Sequence, residues 1–193
     1  APGPGVHLKL ECAQETGSFK RCGALAAVAA PDPGARARGV LTASAGNHGY
    51  GLARAGALLG VPVTVVVGAS TPAVKRDGIA AAGASLEALD ARGYDAVEAH
   101  AKELARARGL AFVSPFDDPA VAAGNGGTVG LEVLEDLPSV RTLVAPVGGG
   151  GLVAGLAAAR RITGAAYALV GVQSEACPAM ARSLEEGRAR LTF

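Results

Sequence analysis

The sequence predicts an α/β fold built on a mostly parallel, doubly wound sheet, and three observations predict it. Short apolar segments alternate with helix-length, often Ala-rich ones along the chain, the pattern of βαβ units. Residues 61–67 read Val-Pro-Val-Thr-Val-Val-Val, too apolar and β-branched for a strand with one wet face, so they belong inside a parallel sheet. Several strands also run into unusual loops that open a helix, where sheets of this kind bind their ligands.

In order, residues 6–11 alternate apolar and polar side chains and read as a strand. Residues 18–30 are Ala-rich and read as a helix, stopped by a turn at Pro31, Pro33 and Gly34. A short apolar strand, 40–43, feeds a helix over 47–59 that Gly60 closes. The buried strand 61–67 follows, then a helix (73–82), a strand (85–89), a helix (94–108) and a strand (111–113). Beyond Pro115 come a helix near 128–137, a strand at 142–146, a helix at 152–162, a strand at 167–173 and a last helix over 179–187. No internal repeat, low-complexity linker or heptad pattern interrupts the series.

Composition excludes several classes of function. Half of the 193 residues are hydrophobic and 18% are charged, enough apolar material for a sizeable core in one domain or two small ones. The formal net charge is +1 with no run of Lys or Arg, so neither nucleic acid nor an anionic membrane finds an electrostatic footprint. No stretch approaches the ~18 apolar residues of a membrane helix. The opening Ala-Pro-Gly-Pro-Gly has neither the charged head nor the apolar run of a signal peptide, and the missing Met marks a processed terminus or a fragment. Cys12, Cys22 and Cys177 are odd in number and scattered, which fits a reducing cytosol and not a disulfide framework; Cys177 reads as a small buried hydrophobe. Neither HExxH, a CxxC pair nor GxSxG is present, which leaves no signature of a metal centre or a serine hydrolase. His7 and His100 read as ordinary surface or boundary residues.

Three loops stand out. In Thr142-Leu-Val-Ala-Pro-Val-Gly148-Gly149-Gly150-Gly151-Leu152, four glycines separate a strand from a helix. Bare backbone N–H groups and the helix dipole make such a loop a phosphate cradle, beyond what a tight turn alone requires. In Thr42-Ala43-Ser44-Ala45-Gly46-Asn47-His48-Gly49, Ser44 is placed as an N-cap. The loop reads either as a grip for a carboxylate or ring hydroxyl or as a plain capped helix, and His48 as a packed, hydrogen-bonded histidine. In Gln14-Glu15-Thr16-Gly17-Ser18-Phe19-Lys20, the lysine opens a helix, where the positive dipole end disfavours its protonation. An amine that attacks a carbonyl needs that lowered pKa, although a lone lysine is more often a solvated cation.

Ser18-Phe19-Lys20, the 44–49 segment and the 148–152 loop, in this order and at this spacing, resemble the threonine/serine dehydratases of the tryptophan-synthase-β-like, fold-type-II pyridoxal-phosphate enzymes. Pro115-Phe116-Asp117-Asp118-Pro119, Gly130-Leu131-Glu132 and Gly171-Val172-Gln173-Ser174-Glu175 extend the resemblance over nearly the whole chain. It implies a two-lobed architecture of mostly parallel three-layer αβα sheets. The large cofactor-binding lobe would be 1–38 and 118–193, and the small inserted lobe 39–117, which would close over substrate. By the same resemblance Lys20 forms the Schiff base with pyridoxal 5'-phosphate and moves protons at the substrate Cα, while Phe19 helps position the ring. Asn47 hydrogen-bonds the ring hydroxyl, and Gly148, Gly149, Gly150, Gly151 and Leu152 hold the phosphate through backbone amides. Ser44, Ala45, Gly46 and His48 line the substrate carboxylate pocket, with Ser18 or Thr16 beside it. The reaction implied is β-elimination and deamination of a small amino acid, L-threonine or L-serine, to a 2-keto acid and ammonia. The enzyme implied is cytoplasmic and a dimer or tetramer of identical chains.

Several positions depart from the family pattern. Cys22 stands where the family carries an arginine, with Arg21 placed to compensate. Ala45 stands where serine racemases carry the serine that serves the second face, which favours dehydration over racemisation. Gln173, Cys177 and Ala179 stand where racemase-like members bind a divalent cation, and without carboxylates no metal is expected. Asn125-Gly126-Gly127-Thr128 runs one glycine longer than usual. Family members extend beyond both ends of this chain, so it reads as truncated at both ends or as a minimal domain. The alternatives are a racemase or β-replacement enzyme of the same fold, an inactive cofactor-binding fragment, or a nicotinamide oxidoreductase. The last rests on Gly149–Ala154 read as GxGxxA with Glu175 downstream.

Overall fold

The computed structural model describes residues 5–91 and 93–190. The readings that fall on residues 1–4 (the chain start) and 191–193 (the end of the large lobe) lie outside these. After α1 (Lys20–Ala29) and α2 (Pro33–Arg38), the chain alternates β1 (Val40–Ala43), α3 (Asn47–Leu59), β2 (Val63–Gly68), α4 (Ala73–Ala81), β3 (Ser85–Leu89), α5 (Tyr94–Arg108) and β4 (Ala111–Phe112). These four strands form one parallel sheet in the order β3-β2-β1-β4, with Val40 opposite both Val63 and Ala111. Successive residues point to opposite faces of a strand, and here both faces are covered. Leu41, Ala43 and Val66 pack against Val97, Ala101 and Ala105 of α5. Val40, Val63, Val65 and Val67 belong to the opposite core with Leu52 of α3 and Ile79 of α4, which continues to Ala24 and Val28 of α1. That double burial is why β2 reads as an unbroken apolar run.

The second half contains α6 (Pro119–Ala122), a π-helical turn at Ala123–Gly127, α7 (Thr128–Asp136), β5 (Thr142–Pro146), α8 (Gly151–Thr163), β6 (Ala168–Val172) and α9 (Ala179–Glu186). Strands β5 and β6 pair in parallel from Thr142↔Ala168 to Pro146↔Val172. A third core, Val129, Ala145 and Leu156, joins them to α7 and α8. The buried Tyr167 donates its hydroxyl hydrogen to the Leu156 carbonyl at 3.1 Å. Val144, Val170 and Val172 are exposed.

Four sequence expectations need correction. Residues 6–10 form no strand, because among the described residues no strand pairs with them. The stretch is instead tied down by Lys9, whose ammonium meets Glu132 at 2.8 Å and Asp136 at 2.9 Å. The proline turn at 31–34 gives way to α2, because Asp32 caps it by accepting the Ala35 N–H at 2.9 Å, with Pro33 in the first turn, where its missing N–H costs nothing. The chain is helical already from 119, ahead of the expected start near 128, because Asp118 starts the helix, its carboxylate accepting the N–H groups of Ala120 and Val121. The Asn125-Gly126-Gly127 run falls in the π turn, which widens the helix without breaking it. Cys177 is exposed, not buried, in the loop before α9.

Helices α6 to α7 cross α8 with backbone against backbone. A Cβ on Gly126 would overlap the Leu152 carbonyl, and one on Gly155 would lie 2.6 Å from the Gly126 Cα. Such approach is open only to glycine.

Candidate active site

Lys20 begins α1 with its side chain half buried, and its ammonium donates to the Pro115 carbonyl at 2.7 Å. Burial lowers its pKa below the ordinary lysine value. The expected direction holds, but removal from water is the cause, in place of the helix dipole. Phe19 places its ring centroid 5.1 Å from the same nitrogen, and Ser18 Oγ accepts the Lys20 backbone N–H at 3.4 Å.

The next residue along from Pro115 links the lysine to the glycine loop. The Phe116 ring covers Gly149 so closely that a Cβ there would lie 2.5 Å from it, and the Phe116 carbonyl oxygen would meet a Cβ on Gly151 at 2.8 Å. Gly150 has φ +92 and faces the Met180 methyl, which would stand 2.7 Å from an added Cβ. Side chains are thus barred from most of the loop, and no side chain caps the N-terminus of the 13-residue α8 that it opens. Gly148 and Gly149 are exposed, while Leu152 is partly covered. An anchored amine whose pKa burial lowers and a glycine loop opening a helix, on either side of Pro115-Phe116, suit a molecule with an aldehyde at one end and a phosphate at the other.

The 44–49 loop packs beside α1, with Gly51 of α3 so near that a Cβ would sit 3.4 Å from the Lys20 carbonyl. Ser44 is not the N-cap residue. Gly46 holds that position, and Ser44 Oγ reaches across to accept the N–H groups of Gly46 at 3.3 Å and Gly49 at 3.1 Å. Removing that acceptor (Ser44→Ala) lowers stability by about 1 kcal/mol, measured by urea denaturation. Gly46 and Asn47 are exposed at the mouth of the loop. Ser44 and Ala45 line a cavity of about 210 Å³ with Ser70, Gly93 and Tyr94, and the Tyr94 ring lies 6.2 Å from that of Phe116.

His48 corrects a further expectation. It is packed, only 3% exposed, but neither ring nitrogen has a hydrogen-bond partner. The nearby Val113 carbonyl favours the protonated ring, yet it accepts from Thr42 Oγ1 at 2.7 Å. Burial first, and the Lys20 charge second, push the His48 pKa down to about 3, so the ring is neutral throughout the working range. The unfolded chain takes up a proton below about pH 6.5 that the folded chain refuses until about 3. Stability is therefore complete above 6.5 and falls progressively as pH drops toward 3. His48→Leu removes this contribution, so urea denaturation of variant and parent shows the difference shifting in the variant's favour between pH 7.5 and 4.5.

Arg21 pairs with Glu15 at 3.3 Å, and Arg54 pairs with the same carboxylate. Gln173 accepts the Ala181 N–H at 2.9 Å, capping the start of α9. Among the described residues, no three His, Cys, Asp or Glu side chains cluster as a metal site. Sequence reasoning assigned no role to Pro115, Phe116 or Asn125. The signal for the first two was the Pro-Phe-Asp-Asp-Pro motif, and for Asn125 the glycines on either side of it.

A family model described as "Pyridoxal-phosphate dependent enzyme" matches residues 1–192. The L-threonine ammonia-lyase of Geobacter sulfurreducens is 45% identical over 183 residues, covering 95% of this chain and 45% of that protein. The L-threonine ammonia-lyase of Thermotoga maritima is 42% identical, covering 97% of this chain and 46% of its own. Among solved structures, the processed threonine deaminase isoform 2 of Solanum lycopersicum superposes with a TM-score of 0.89 at 35% identity, over 94% of this chain and 52% of that one. Maize serine racemase gives 0.88 at 30%, over 94% and 55%. The chain spans about half the length of the curated relatives it matches.

Proposed function

Because the chain belongs to the pyridoxal-phosphate dependent enzymes, we propose that it forms the cofactor-holding part of a lyase that eliminates the β-hydroxyl of L-threonine or L-serine, yielding a 2-keto acid and ammonia. One observation carries this reading: the Lys20 amine and the glycine loop meet on the two sides of Pro115-Phe116. When bound, the cofactor supplies an aldehyde for an amine and an electron sink for the pair released at the substrate Cα.

The chain's own residues do the rest. The amides of Gly148, Gly149, Gly150, Gly151 and Leu152 hold the phosphate, and Asn47 offers its side-chain amide to the ring hydroxyl. Phe19 flanks the ring, and Ser44, Ala45, Gly46 and His48, with Ser18 near Lys20, bound the substrate carboxylate. Lys20, whose burial raises its uncharged fraction, takes the proton from Cα and returns one where needed. Ala45 presents a methyl group and no exchangeable proton, which favours elimination over inversion. A neutral, apolar-packed His48 adds no competing positive charge. Residues 39–117 act as a small lobe that closes over substrate and excludes water.

The dinucleotide alternative uses the same glycines but leaves Lys20 and Asn47 without a role. Three free cysteines support a reducing, cytoplasmic setting, and among the described residues no helix is long and apolar enough to cross a membrane. The exposed Val144, Val170 and Val172 support further protein packing there, including assembly into a dimer or tetramer. Titration with pyridoxal 5'-phosphate is expected to produce a visible absorbance band, with keto acid released on adding L-threonine. A colourless protein would end the proposal, and D-serine from L-serine without keto acid would favour a racemase.

A further inference from the structure

The widened turn at Ala123–Gly127 lies between the two halves of the candidate site. On one side, a Cβ on Gly124 would meet the Cys22 carbonyl oxygen at 2.6 Å and the Gly23 Cα at 2.7 Å, within one turn of Lys20. On the other, Gly126 rests on the carbonyl of Leu152 and the Cα of Gly155, within one turn of the phosphate loop. Residues two apart on a helix face nearly opposite ways, so the turn is a wedge touching α1 with one edge and α8 with the other.

Asn125 sits between these glycines, 2% exposed, and its Oδ1 accepts the Gly23 N–H at 2.9 Å. Gly23 is the fourth residue of α1, so its N–H is the first that can return to the N-cap carbonyl, as the Tyr50 N–H does to Gly46 in α3 at 3.1 Å. Asn125 thus ties down the end of the first turn of the lysine's helix from 102 positions away in sequence. The wide turn is itself held open. Thr128 Oγ1 donates to the Gly124 carbonyl at 2.6 Å and lies 3.3 Å from that of Asn125, satisfying oxygens that lose their α-helical partner when the ladder shifts by one residue.

We propose that this π turn, with Asn125 as its positioning residue, sets the separation and rotation of Lys20 relative to the glycine cradle. The π pitch of the turn widens the wedge, and Asn125 fixes α1 against it. The inference rests on the cofactor reading above and deepens it. Asn125 acts through Lys20, without touching the cofactor.

The test compares two ligands on the full chain. Pyridoxine 5'-phosphate has the phosphate and ring but no aldehyde, so its affinity, measured by calorimetry, reports the cradle alone. The visible band formed with pyridoxal 5'-phosphate reports the reach of Lys20. In Asn125→Ala, and in the variant lacking Gly127, pyridoxine 5'-phosphate affinity is expected to stay within about threefold, the scatter of a remote change. The rate of band formation is expected to fall on the order of a hundredfold, the cost of a misplacement near 1 Å. Circular dichroism establishes that each variant is folded. Equal losses for both ligands, no loss of band formation, or unfolding of both variants would overturn the proposal. A parent chain that binds neither ligand would instead overturn the cofactor reading on which it rests.

Discussion

Lys20→Ala is expected to lower keto-acid formation from L-threonine on the order of 10⁴-fold, the upper range for removing a group that handles the reacting proton. It should also abolish the visible band, even at saturating cofactor. Lys20 has its amine half buried against the Pro115 carbonyl and its pKa lowered by burial. Lys9 is driven the opposite way, held protonated by hydrogen bonds to Glu132 and Asp136, and Lys102 is paired with Glu98 at 3.2 Å. Borohydride reduction followed by peptide mapping should therefore place the label on Lys20, and Lys102→Ala should leave band and turnover intact. Removing the Lys20 charge should also act on stability with a definite sign. A lysine whose folded pKa lies below its unfolded value penalises the fold while the free chain is still protonated. Lys20→Met is thus expected to raise the melting temperature at neutral pH, and the gain should shrink as pH climbs toward 10. Label on another lysine would overturn the assignment.

The second large effect is one of packing. Gly155→Ala should cost about 3 kcal/mol, which for a chain of this size lowers the melting temperature by about 10 °C. The new methyl would lie 2.6 Å from both the Gly126 Cα and the Gly127 nitrogen, and closer still to the Ala122 carbonyl. All of these are backbone atoms in a helix, so no side-chain rotation relieves the clash. Gly127→Ala is the contrast, because a Cβ there meets nothing within 4 Å and the backbone is already helical, with φ −63. It should be neutral or stabilising by about 0.5–1 kcal/mol. Calorimetric melting of the two variants checks both, and equal destabilisation would falsify the crossing described here.

Where a segment is buried on both faces or opens a helix at a glycine run, its role was legible without coordinates. Strand β2 and the 148–152 loop show this, since an apolar run and four bare glycines carry their environment in their composition. Residues 6–10 mislead for the converse reason: alternation marks a strand only if another strand accepts its hydrogen bonds. Position 48 was legible as packed but not as unpartnered, because hydrogen bonding depends on which carbonyl the fold brings near and on what already occupies it. Asn125 was least accessible. Its partner lies in another helix, and the shift from α to π pitch is decided by the neighbours on either side. The glycines around it announced an irregularity without revealing its form.

The crossing of α8 with the 119–136 helix has a thermal consequence. Where main chain rests on main chain, as at Gly126 and Gly155, there are no rotamers to freeze on folding and none to release on warming. Those contacts therefore cost less ordering entropy than the Val129 and Leu156 side-chain layer beside them.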